Sequence, residues 1–336
     1  MRNITILLSF LGILLIAAGC QADKGAGVSP GDAFVGGTSA IKMSFVENSP
    51  PSEVTDKTEA NEAFEFDATV TIENVGEHDI PQEALVVTMS GFFPGDFGIT
   101  DTQELKAANA GTVNGVSKDP DGNRIQGAVD QFTFPKSVIE KFAYQKELTG
   151  SQAFPFRAEA CYPYNTKVLS QVCLMEDLTK KERPVCNPTG SRTVSNSGAP
   201  VQVTSITQSV GGRNKLLLNF DVQKVGSSDI FKNEPTETCN DDFKNKNRIE
   251  VEVNTGIPGL NCVGLVGGEA LDYETEDSTT AKGFTGELLL SGGSGSFTCI
   301  QTLSNIDRDS IKTFDVTLAY YARDSVTTNV LVKHLI

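Results

Sequence analysis

The sequence predicts an all-β exported protein built as two tandem β-sandwich domains. Three observations lead there: an apolar opening segment that stops on a cysteine, strands that alternate apolar and polar residues, and a strand pattern that occurs twice along the chain.

The opening segment sets the address. Arg2 is the only charge before LLIAAGC, and the run from Ile4 to Ala18 is broken only by Thr5, Ser9 and Gly12. A positive start, a short apolar middle and small residues at the end describe a secretory signal over residues 1–19. The run falls short of the about 20 residues that a membrane span needs. The ending Ala17-Ala18-Gly19-Cys20 resembles the lipobox of prokaryotic lipoproteins, with Ala17 where that family usually carries leucine. The resemblance implies that Cys20 is lipidated and becomes the first residue of the mature chain. The protein would then be anchored to the outer face of the cell membrane. Two acyl chains hold far better than one, because each buried methylene adds about 0.8 kcal/mol. Residues 20–40 are rich in Gly, Ala and Ser and read as a flexible tether, which spans roughly 25 Å on average.

Strands follow. AFEFDATVTIENVG places Phe64, Phe66, Ala68, Val70 and Ile72 on one face and Glu65, Asp67, Thr69, Thr71 and Glu73 on the other. Period two with one polar face predicts a half-buried antiparallel strand. Leu216, Leu218, Phe220 and Val222 repeat the pattern, as do RIEVEV and TFDVTLAYY. The best helical period, SVIEKFAYQKEL at 137–148, predicts one short helix or turn.

TIENVGEHDI at 71–80 matches DVQKVGSSDI at 221–230, and FRAEACY at 156–162 matches FDVTLAY at 314–320. Two matches in one order predict two copies of a module, at 41–186 and 199–336, joined by a linker at 187–198. Short strands and Gly-rich turns such as GGRN and SGGSGS make each copy a β-sandwich. The strand–Asn-x-Gly–turn piece around Asn74 and Gly76 resembles CARDB-type and related immunoglobulin-like modules of prokaryotic surface proteins. SFVENSPPSEV and CYPYNTKVLSQVC are similar to segments of secreted archaeal proteins. These resemblances imply an immunoglobulin-like fold and a cell-surface location, and bring no catalytic residues with them.

The formal charge is −15, and about −16 once Arg2 is removed with the signal. Such acidity argues against nucleic acid, whose phosphates demand a basic face. Cys20 aside, six cysteines remain, at 161, 173, 186, 239, 262 and 299. An even number in an exported chain predicts up to three disulfides. Cys161 and Cys173 flank an expected hairpin with its turn near Asn165 to Lys167, so these two are expected to pair. Cys262 is expected with Cys299, which leaves Cys186 with Cys239. No CxxC occurs and the chain has two histidines, which disfavours zinc.

Few residues suggest chemistry. Asp119, Asp121 and Asn123 alternate as calcium ligands do, but no glutamate closes a twelve-residue loop, and Asp-Gly is also a turn signal. The acidic run at Cys239 to Asp242 reads the same way. Phe92, Phe93 and Phe97 cluster around a turn; exposed they would form a binding loop, and buried they would plug a sandwich. His78, in Glu77-His78-Asp79, and His334 lack a nucleophile elbow to serve. The expectation is therefore a non-enzymatic surface lipoprotein without a cofactor, acting as a binding or structural module. Its expected partners are the membrane, through Cys20, and a protein or glycan at the cell surface. Alternatives are a self-associating subunit of a surface structure and an accessory domain of an extracellular hydrolase complex.

Overall fold

The computed structural model describes residues 33–59, 61–180, 182–183, 185–236, 238–272, 281–304 and 306–334. The expected signal peptide, Cys20 and the tether up to residue 32 lie outside these residues.

The described residues hold no α-helix. Twenty strands follow one another: β1 (Ile41–Phe45), β2 (Glu53–Thr55), β3 (Ala68–Asn74), β4 (Val86–Ser90), β5 (Lys106–Ala108), β6 (Ser117–Lys118), β7 (Arg124–Ile125), β8 (Val129–Phe134), β9 (Ser151–Leu174), β10 (Gly190–Arg192), β11 (Val194–Asn196), β12 (Val201–Gly212), β13 (Lys215–Lys224), β14 (Asp229–Phe231), β15 (Arg248–Asn254), β16 (Leu260–Val263), β17 (Val266–Asp272), β18 (Ala281–Leu289), β19 (Ser294–Thr302) and β20 (Ser310–Lys333). The largest sheet has ten strands along the path β17-β18-β15-β20-β9-β4-β5, with β11 added to β9 and with β14 and β2 added to β20. A three-stranded sheet, β1-β3-β8, and a five-stranded sheet, β10-β12-β13-β19-β16, pack on its inner face; β6 and β7 form a separate hairpin.

The axis of the molecule is the pair β9–β20. Each strand has 24 residues, and they pair antiparallel from Ser151↔Lys333 to Leu174↔Ser310. At about 3.4 Å per residue the ribbon is about 80 Å long. Sequence alternation sustains it: Phe156, Ala158, Ala160, Tyr162, Tyr164, Thr166, Val168, Ser170 and Val172 all point inward and are buried. Pro163 falls between the stretches paired with β4 and β11, where no ladder on that side needs its missing N–H. At one end Phe66 packs on Phe156 of β9; at the other Phe220 of β13 packs on Phe314 of β20.

The 158-residue offset between Phe156 and Phe314 recurs across this ribbon. Tyr162 donates a 2.5 Å hydrogen bond to Asp324, and Tyr320 lies 3.0 Å from the Thr166 hydroxyl. Tyr162 and Thr166 precede Tyr320 and Asp324 by that same offset. The Val-Gly pairs of the earlier match also behave alike. Val75 and Gly76 both donate to the Ala40 carbonyl, and Val225 and Gly226 both donate to that of Pro200. The ten-stranded sheet takes strands from both expected halves, so the boundary between them carries continuous backbone pairing.

Several expectations are corrected. The hairpin at Asn165 to Lys167 is absent, because β9 runs straight through it and the Thr166 hydroxyl donates inward to Val201 O. Cys161 and Cys173, twelve positions apart on one extended strand, stand about 40 Å apart and cannot bond. The disulfides are Cys161–Cys239, Cys173–Cys186 and Cys262–Cys299. Cys186 and Cys239 are thus also not partners: Cys173 holds Cys186 at the C-terminal end of β9, and Cys161 holds Cys239 near the middle of that strand. Cys262 and Cys299 face each other across β16 and β19. On the chain-entropy account the three bridges contribute about 3 to 4.5 kcal/mol each. They mark an oxidising compartment outside the cytoplasm. The expected linker carries β10 and β11, which pair with β12 and β9. Residues 137–148 form no helix: Phe142, Ala143 and Tyr144 are buried in succession, and Phe142 exchanges backbone hydrogen bonds with Phe66.

At mid-ribbon two glycines sit where backbones cross. A Cβ on Gly76 would lie 2.0 Å from the Tyr164 hydroxyl, 2.6 Å from Gly198 O and 2.9 Å from Ser39 O; one on Gly226 would lie 2.4 Å from Thr38 O. Gly76→Ala and Gly226→Ala each lower unfolding free energy by about 1–3 kcal/mol in urea titrations. Gly111→Ala, with nothing within 4 Å, leaves the midpoint within about 0.5 kcal/mol of the parent.

Candidate functional site

The aromatic loop resolves into a core and one exposed ring. Gly91 and Gly98 bound a 3₁₀ turn, Pro94–Phe97, that turns Phe97 fully inward. Phe97 meets Phe66, Phe92, Tyr144, Phe154 and Phe156 within 6.2 Å, mostly edge to face, and Phe92 stacks on Phe156 at 4.2 Å. Phe92 and Phe97 are therefore withdrawn as members of a binding loop. They close the end of the sandwich, and Phe93 alone, 70% exposed, remains available.

The calcium candidates form a hairpin tip. One Asp119 oxygen accepts from the backbone N–H groups of Asp121 and Asn123, and the other accepts from Asn123 Nδ2. These bonds, led by the one from the Asn123 side chain, hold the Asp119 carboxyl below its ordinary pKa. The carboxylate is spent on its own turn, and Asp121 contributes backbone to that turn. Asp241 is committed elsewhere: it holds Arg323 through both carboxylate oxygens, at 2.9 and 3.0 Å, and Lys246 at 2.8 Å. Arg323 and then Lys246 depress its pKa far below the carboxylate range. Arg323 also pairs with Asp229 and lies over the Phe231 ring. The clamp seats the loop that Cys239 bolts to Cys161. Among the described residues no group of three or more His, Cys, Asp or Glu side chains is placed to hold a metal ion.

His78 packs edge-on to Tyr164, with ring centres 5.2 Å apart, and its backbone N–H donates to the Tyr164 hydroxyl. Burial, and secondarily Lys167, lower the pKa of its ring against the pull of Asp79. His334 lies at the end of the ribbon, 2.9 Å from the buried Asp56, whose carboxylate also accepts from Leu148 N. Among the described residues neither histidine is paired with a serine or cysteine in the way a nucleophile needs.

Sequence reasoning passed over the residues that organise the centre. Glu77, beside the histidine that drew attention, accepts from Val35 N, Gly36 N and Gly198 N at 2.7–2.8 Å. It fastens the last residues of the expected tether, and the segment before β12, to mid-ribbon. Asp324 is largely buried and accepts from Tyr162 and Ser228. Burial raises its pKa, and the two hydroxyl donors only partly oppose that. The repeat was the signal for Glu77, since it follows the first Val-Gly pair. No local pattern marks Asp324.

Two open clefts among the described residues are lined by carboxylates. One, of about 450 Å³, lies on the outer face of the large sheet between Lys232, Asn233, Glu250, Val266, Glu269 and Glu287. Its Glu287 is paired with Arg248 and Lys232, and Glu250 accepts from Asn233. The other, of about 490 Å³, lies beside Glu77 and Asp79, whose carboxylates are occupied by backbone donors. Apart from Glu269, the carboxylates named at these two clefts are engaged by cations, an amide or backbone N–H groups.

No family model matches the chain, and no curated protein matches it. Among solved structures the chain is similar to the secreted serine protease VesC from Vibrio cholerae. The TM-score is 0.16 and the identity 8%, over 82% of this chain and 52% of that one. The chain thus spans about half the length of that structure, and a likeness of this strength carries no argument about function.

Phe97→Ala costs about 3–5 kcal/mol of stability, whereas Phe93→Ala stays within about 0.5 kcal/mol; chemical denaturation of both variants checks this. Asp324 supplies a pH signature. Its folded pKa lies above the unfolded value of about 3.9, so the native state takes up the proton first. Its contribution to stability therefore grows as pH falls from that raised value towards 4. Against Asp324→Asn, the parent gains relative stability on acidification from pH 7 to pH 4, measured as the difference in urea midpoints.

Proposed function

We propose that the protein is an exported lipoprotein, held to the outer face of a membrane by acyl chains on Cys20. Its folded body acts as a stiff binding or structural module and not as an enzyme. The observation that carries this reading is the unbroken pairing of β9 with β20, because a ribbon of this length under a common core makes a rod and leaves little room for a deforming cleft. We also propose that the rod is a tandem duplication of one immunoglobulin-like sandwich, joined through the strand that is last in each copy. The matched hydrogen bonds of Tyr162 and Tyr320 support it. The engaged carboxylates and histidines favour recognition of a protein or glycan by loop tips and sheet edges over chemistry on a substrate. Strand addition at an exposed edge is one physical mode.

Detergent phase separation of the protein made with its own leader tests the anchor. The parent partitions into the detergent phase, and Cys20→Ser moves it into the aqueous phase without changing its melting temperature. Recovery of both forms in the aqueous phase refutes lipidation.

A further inference from the structure

We infer that the Phe93–Val138–Ile139 end of the protein rests on a lipid bilayer; the inference builds on the membrane-tethered reading above. Val138 and Ile139 are 90% and 87% exposed at adjacent positions of one loop, and Phe93 is 70% exposed on another. The two loops are laced together. Lys136 N and Ser137 N donate to Glu104, Gln145 N donates to Asp96 O, and Lys146 pairs with the Asp96 carboxylate at 2.6 Å. The three apolar side chains therefore belong to one end of the rod, where β9 begins and β20 finishes. Single exposed apolar residues are ordinary, but a group on one tip marks a contact surface.

The opposite end differs in kind. There Glu176, Asp177, Lys180 and Asp309 fold over the ends of the ribbon: Glu176 N donates to Asp309, Lys180 pairs with Glu176, and Thr179 caps onto Asp177. That end presents paired charges at its surface. The chain outside the described residues gives the length argument. From Cys20 to Ala33 it has thirteen steps, at most about 45 Å when extended. Glu77 fixes its far end at mid-ribbon near Tyr164, thirteen residues or about 43 Å from Ser151. A chain held at Cys20 thus lets the rod stand upright on its apolar tip at full stretch. Phe, Val and Ile at the headgroup boundary bury their side chains without needing charge attraction.

The chain has no tryptophan, so one introduced tryptophan reports alone. Six of seven cysteines are bridged, which leaves Cys20 as the single thiol for coupling. The mature chain is coupled through Cys20 to phosphatidylcholine vesicles carrying a maleimide headgroup lipid, which makes the test independent of natural lipidation. Ile139→Trp emission shifts to the blue and is quenched at least threefold more by brominated acyl chains than that of Ile311→Trp, a half-exposed position at the other end. Unchanged Ile139→Trp emission on vesicles that carry the coupled protein overturns the inference and leaves the anchor standing. Equal quenching of the two reporters also overturns it.

Discussion

Everything else in this fold leans on β9 and β20 pairing without a break. An isolated two-stranded ribbon is marginal in water. Here its inner face is buried along nearly its whole length, and each strand gains further neighbours on its outer edge. The alternation of small and aromatic inward residues decides how the covering sheets sit. Phe156 and Phe314 fill the spaces toward the two ends. Between them lie the small buried side chains of Ala158 and Ala160. At the centre the tyrosines reach sideways to polar groups, since a buried phenol needs a partner.

The centre is also where the chain crosses itself, and the crossings are close because glycine lets them be. With Gly76 and Gly226 free of side chains, carbonyls of the incoming segments approach within hydrogen-bonding range of the Val-Gly turns. Those segments would otherwise bring unpaired N–H groups into a crowded site. One carboxylate, Glu77, satisfies three of them, and hydrogen bonds to a charged acceptor are about twice as strong as neutral ones. Removing the carboxylate leaves several orphaned donors at once, which costs more than any single bond returns.

The all-β class was legible because period two survives in nearly every strand, and the matched Val-Gly pairs make like backbone hydrogen bonds, to Ala40 O and to Pro200 O, because only glycine fits at those crossings. The long strand was not. Asn165-Thr166-Lys167 carries turn-forming residues, and only the partner strand, 150 residues later, shows that they continue the ladder. Misreading that stretch misplaced two disulfides, since both followed from a hairpin that pairing removes. The aromatic loop failed differently: three phenylalanines look alike in sequence, while the 3₁₀ turn at Pro94 sends Phe97 in and leaves Phe93 out. Asp324 was invisible because its partners come from Tyr162 and Ser228, far apart in the chain.

A rod gripped at its middle behaves unlike one held by an end. Held by an end, it points away from its support and its orientation is set by the first joint. On the proposed anchor, a body held near Glu77 pivots, and which end faces the membrane depends on whatever small difference the two ends possess. On the proposed duplication, the strands themselves give the body little preference between its two ends. The difference must then come from residues outside the shared pattern, and the loops at 91–105 and 135–146 are such residues. Their apolar tip and the charged loops around Glu176 and Asp309 make the two ends of the ribbon unlike.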